Sequence, residues 1–180
     1  MRTLFDTVVK MLSPTSPPKL AFDHPPCPDA TANAAATYCP STNTVAVDMN
    51  RLVLMGTSLT RGSAYVDTYT APLYGDYSAY SVLVSRMMLA AQKERGLSLD
   101  NTDAGLRTAC LTGAITEQLS KEGAMNLTGG DLDEAVTGVL LNGEAASNVK
   151  GEHAPSGFAR VNAFRAGVLG DEKNCYEQWK

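Results

Sequence analysis

Histidine is scarce in this chain of 180 residues: there are two, His24 and His153, so a site built on paired imidazoles has almost nothing to draw on. Neither has a second His, Cys or carboxylate at helical metal spacing in a helix that would hold it. No CxxC pair occurs among the four cysteines, which excludes zinc-ribbon and thioredoxin readings on spacing. GxGxxG, GxxxxGK[ST] and GxSxG are also missing, so dinucleotide, P-loop and nucleophile-elbow sites lack their glycines. The nearest approach, "GTSLT" from Gly56, has no second glycine.

Basic tracts and long apolar runs are absent too. Fifteen Lys and Arg are scattered and outnumbered by nineteen Asp and Glu, giving a net charge of -4, so nucleic acid is not an expected partner. The longest apolar run, Val82 to Ala91, contains Ser85 and Arg86 and is too short and polar to span a bilayer. Direct membrane insertion by this segment is therefore not expected. The opening "MRTLFDTVVKML" lacks an apolar h-region with a small-residue cleavage site; its Leu4, Val8, Val9 and Leu12 suit an amphipathic helix.

What is present is a globular composition, 44% apolar and 19% charged, long enough for one domain over 1–180 with a real core. "SPTSPP" breaks the first helix, and "KLAF" reads as a short strand. A loop carrying Cys27 and a run of alanines is expected to lead to Tyr38, Cys39 and Pro40. "NTVAVDM" alternates as a strand does, and "NRLVLMGT" suits a short helix. Gly62 to Gly75 reads as loop.

Helices are expected from Tyr80 or Val84 to about Arg95, from Asp103 to Lys121, from Asp131 to Leu141, and from Ser156 to Leu169. Thr128 or Gly130 can cap the third, with Asp131, Asp133 and Glu134 against its positive end. Gly96, Gly143 and Gly170 stand where left-handed caps are wanted. The class is α+β, mostly helical with a small N-terminal sheet.

Cys27, Cys39, Cys110 and Cys175 allow three pairings. Cys27 with Cys39, in one proline-rich region, and Cys110 with Cys175 are preferred; four reduced core cysteines are the alternative. Oxidised pairs imply an extracytoplasmic setting. The missing export signal then implies a domain excised from a longer membrane-anchored or secreted parent.

Arg86 breaks an otherwise buried-looking helix, "YGDYSAYSVLVSRMMLAAQ" from Tyr74. One reading packs its stem and sends its head to water or to Asp76 or Asp103. The other lets it fork onto a ligand carboxylate or other anion. Met87, Met88, Leu89, Tyr77 and Tyr80 read as core, and "NLT" at Asn126 as a chance sequon.

Several stretches, in order from Tyr38 to Cys175, resemble the neutral zinc metallopeptidase family of bacteria, a zincin-like group with an HExxH helix. "TYCPSTNTVAVD" resembles its aromatic, Cys-Pro and strand segment. "YGDYSAYSVLVSRMMLAAQ" resembles its Gly-Asp-aromatic lead into the HExxH helix. "LRTACLTGAI", "GGDLDEAVTGVLLNGE" and "HAPSGFARVNAFRAGVLGDEKNC" resemble its later helices.

The resemblance implies a zincin-like fold, and it also implies a lost site. Aligned on Gln92, the first metal-binding histidine falls at Ser85, the catalytic glutamate at Arg86 and the second histidine at Leu89. The third ligand falls near Gly105. An HExxH helix works because two imidazoles one turn apart hold zinc while the glutamate takes a proton from the bound water. Ser85, Arg86 and Leu89 cannot do this.

The expectation is a pseudoenzyme with no catalytic residue, no metal and no cofactor. It would act as a binding or scaffolding module for a protein or peptide partner, with Arg86, Asp76 and His153 as possible ligand-binding residues. Rival readings are a hydrolase rearranged around Asp76, Glu94, Asp103 or His153, and a structural partner domain in an assembly.

Overall fold

Helix α1 (Arg2–Leu12) forms on the expected amphipathic spacing. Phe5 and Val8 are buried while Leu4, Val9 and Leu12 pack half-buried against the core. Ser13 then turns left-handed (φ 44°) and the proline cluster follows. The computed structural model describes residues 1–22, 27–30, 34–56 and 75–180. His24, Tyr74 and the expected loop up to residue 74 lie outside the described residues.

Strand β1 (Lys19–Phe22) runs parallel to β3 (Thr44–Val47), and β2 (Ala36–Cys39) runs antiparallel to it, so the order is β1-β3-β2. Lys19 stands opposite Thr44, and Ala36 opposite Val47. The β2–β3 turn ends at Asn43 (φ 49°), whose Oδ1 accepts from the Tyr38 hydroxyl at 2.7 Å. Asn43 Nδ2 donates to the Ser16 carbonyl at 3.1 Å, tying the turn to the approach of β1.

β2 corrects the sequence reading, which made this stretch the end of a loop. Alanine has weak strand preference, yet all four β2 residues are buried, and pairing with β3 overrides that preference.

Helix α2 (Met49–Gly56) is the expected short helix. Helix α3 (Asp76–Glu94) buries fourteen of its nineteen residues, which makes it the central helix of the molecule. It begins earlier than the apolar spacing implied, because its first turn is capped from elsewhere in the chain, as described below.

Helix α4 (Thr102–Lys121) is capped by Asn101, whose side chain accepts from the Ala104 N–H at 2.8 Å. Helix α5 (Gly129–Thr137) opens with a reciprocal Thr128–Asp131 capping box. It ends earlier than expected, widening into a π-helical turn over Gly138–Asn142. Gly143 (φ 71°) stops that turn and a 3-10 turn follows over Glu144–Ala146.

Helix α6 (Gly157–Leu169) is capped by Ser156. A short α7 (Glu172–Gln178) was not foreseen: it has one buried residue, Cys175, and no apolar period to announce it. Gly96 (φ 70°) and Gly143 are left-handed as expected. Gly170 (φ −118°) is not, because the chain passes straight into the α7 cap at Asp171.

Helices α4 and α6 approach backbone to backbone. A Cβ on Gly113 would overlap the Phe164 carbonyl, and one on Gly167 would overlap the Cys110 carbonyl. Both preferred disulfides are formed, Cys27–Cys39 and Cys110–Cys175, each with Cα atoms 5.6 Å apart. Two disulfides suit an oxidising environment. No helix among the described residues is long and apolar enough to cross a membrane.

Candidate functional site

Three of the four positions that the resemblance assigns to metal chemistry lie within about one turn of α3, and the fourth lies on α4. Ser85 is fully buried, donates to the Val82 carbonyl at 2.7 Å and accepts from Arg86 Nε at 3.1 Å. Leu89 is fully buried in the main core. Gly105 is buried at the start of α4, where a Cβ would lie 3.0 Å from the Ala146 carbonyl oxygen.

Arg86 is 3% exposed, and its guanidinium grips the segment that follows the 3-10 turn. Nη2 donates to the Glu144 carbonyl at 2.8 Å and to the Ser147 hydroxyl at 2.9 Å. Longer contacts of 3.4 Å reach the carbonyls of Ser147 and Asn148. Gly105 lets the same segment lie against α4. Residues 144–148 therefore lie against α3 at Arg86 and against α4 at Gly105.

The internal carboxylate that Arg86 feels is Glu144, and neither Asp76 nor Asp103 approaches it. Burial pushes the guanidinium pKa down to about 10, and the negative charge of Glu144 opposes that shift. Arg86 thus stays charged at neutral pH. Burial raises the Glu144 pKa, against the pull of Arg86 and Arg51, and its Oε2 is buried without a hydrogen-bond partner among the described residues. No carboxylate of a described residue stands within 4.0 Å of the Arg86 nitrogens.

The other named residues are dispersed. Asp76 begins α3 and Glu94 ends it, an axial separation of about 27 Å at 1.5 Å per residue. Asp103 is exposed in the first turn of α4. His153 is exposed in a bridge with Ser147, its ring packed at Gly143. Asp76, Glu94, Asp103 and His153 thus form no common site.

Asp76 does have company that sequence reasoning missed. Its carboxylate, Asp131 and Glu134 offer oxygens all within 4.8 Å of one another. Asp76 Oδ1 accepts from the Tyr77 N–H at 3.0 Å, and Asp131 Oδ2 from the Thr128 N–H at 2.5 Å.

Glu134 reaches from α5 to the N-terminus of α3, accepting from the Ser78 and Tyr77 N–H groups. Gly75 makes this possible, since a Cβ there would overlap the Glu134 carboxyl. Burial, then the charges of Asp131 and Asp76, raise the Glu134 pKa. Its Oε2 is buried and has no hydrogen-bond partner among the described residues.

Three carboxylates of this kind are the hard oxygen donors that suit calcium or magnesium better than zinc. The clue in the sequence was the acidic first turn of α5, which reads equally well as helix capping. The other group of candidate ligands, Cys27, Asp29 and Cys39, has its sulfurs joined in a disulfide and offers no thiolate.

Asp76 and Asp131 also line the wall of a cavity of about 520 Å³ between α1, α3 and residues 124–127. Tyr77 is buried as expected, its hydroxyl 3.0 Å from that of Thr116, whereas Tyr80 is half-buried on this cavity rather than wholly core. A smaller cavity of about 240 Å³ lies between residues 12–18, the end of α3 and α7, where Arg95 stacks on Tyr176 at 3.9 Å. Comparison with known proteins returns no matching family model, no matching curated protein and no matching solved structure.

Proposed function

We propose that this chain is a catalytically inactive, peptidase-like module that binds or scaffolds a protein or peptide partner outside the cytoplasm. It is read as part of a longer protein tethered by a segment elsewhere or secreted. The observation that supports this most is the seating of residues 144–148. Arg86 and Gly105, at the places of a catalytic glutamate and a metal ligand, hold that segment instead of facing a substrate. A permanently charged guanidinium cannot act as a general base, and it repels a cation at the same spot.

The runner-up is a hydrolase built around a rearranged metal site. It draws only on Asp76 with Asp131 and Glu134, because Glu94, Asp103 and His153 lie apart from them. One assay separates the two readings. The chain is incubated with an unstructured protein substrate and with zinc, calcium or magnesium, and the products are read by mass spectrometry. No cleavage above a metal-only control is expected. Cleavage that disappears in Asp131→Asn would establish the hydrolase instead.

A further inference from the structure

Three carboxylates, Asp76, Asp131 and Glu134, meet at the junction of α3 and α5. Among the described residues none of Asp76, Asp131 and Glu134 has a Lys, Arg, His or amino-terminal nitrogen within 4.0 Å. They are held in place by backbone N–H groups at two helix starts, so their positions are fixed before any partner arrives. Asp76 and Asp131 line the 520 Å³ cavity, a groove to which Leu4, Tyr80 and Leu127 contribute apolar lining. The groove thus offers both carboxylates and apolar surface.

From this we infer that the groove is the docking site for a polypeptide segment of another protein, one that presents an arginine or lysine beside an apolar side chain. The cation meets Asp76 and Asp131, which line the groove, and the apolar neighbour lies on Leu4, Tyr80 and Leu127. Arginine fits best, because its planar fork can engage two carboxylates at once while its stem lies along an apolar wall. This deepens the binding-module reading and rests on it. Charge complementarity decides the kind of partner, and the apolar wall decides what must flank its cation.

The test uses the intact chain, isotopically labelled for amide NMR, titrated with acetyl-Leu-Arg-Leu-amide and with its Gln and Glu counterparts. The arginine peptide should shift the amides of residues 4–7, 76–80 and 125–131, while the other two leave them unmoved. Asp76→Asn with Asp131→Asn should weaken the arginine peptide at least tenfold; both asparagines can still accept the capping hydrogen bonds.

Three results overturn the inference: no shift at millimolar arginine peptide, equal shifts from the glutamine peptide, or shifts from calcium alone with none from any peptide. The peptide series on the unaltered protein decides the matter even if the double variant fails to fold. Mass spectrometry of the recovered peptide keeps the two proposals apart. Cleaved peptide defeats the non-catalytic reading and leaves the groove standing, whereas unbound intact peptide defeats the groove alone.

Discussion

Arg86, Arg107 and Arg160 are each about 95% buried or more, and each directs its N–H groups mainly at backbone carbonyls. Arg107 donates to the Trp179 and Ser98 carbonyls at 2.6 and 2.8 Å and to Gln92 Oε1 at 2.7 Å. Arg160 holds the Val139, Leu140 and Ala154 carbonyls. Irregular backbone in an interior must have its carbonyls paired, and a five-donor fork does this for several at once. Arg86→Met should therefore cost about 3 kcal/mol or more in urea unfolding, because it strips the buried acceptors at residues 144–148. Arg86→Lys should recover little of the loss, since a point charge cannot reproduce the fork. A variant within about 0.5 kcal/mol of the parent would contradict this account of the residue. Arg86 stood out in the sequence because it broke an apolar run. Its partners were not legible, because backbone carbonyls leave no signature in residue identity.

At the scale of elements, the parts with local causes were readable and those with distant causes were not. Helices α4 and α6 followed from their periodic patterns, as did α1 and β3 from theirs. The early start of α3, the π-helical turn and α7 depend on contacts far along the chain, the Glu134 cap, Arg160 and the Cys110 disulfide, while β2 depends on its hairpin partner β3 rather than on its own residues. The same limit hid the acidic triad, since Asp76 meets Asp131 and Glu134 only when α3 and α5 are packed. The α4–α6 contact is a case where the sequence held the glycines but not their reason. Gly167→Ala should push the helices apart against the Cys110 carbonyl and lower stability by about 1–3 kcal/mol. Gly123→Ala, with open space around its Cβ but a left-handed backbone (φ 69°), should cost less, about 1 kcal/mol. Equal melting curves for the two variants would argue against backbone-to-backbone packing.

Across the whole molecule, the two disulfides divide the work unequally. Cys110–Cys175 spans 65 residues and fastens the C-terminal helix to the core, whereas Cys27–Cys39 spans 12 beside the sheet. Chain-entropy reasoning assigns about 4 kcal/mol to the longer loop and about 3 kcal/mol to the shorter. Replacing Cys110 and Cys175 by serine should accordingly lower the urea midpoint more than replacing Cys27 and Cys39. The α+β class and both pairings were accessible from the sequence, and the seating of residues 144–148 against Arg86 and Gly105 was not. That seating makes the central claim, a peptidase-like body without its metal, open to direct measurement. The chain is purified without chelators, reconstituted with excess zinc, desalted, and its zinc content per chain determined. The account predicts well under one zinc per chain; one tightly held zinc per chain would contradict it.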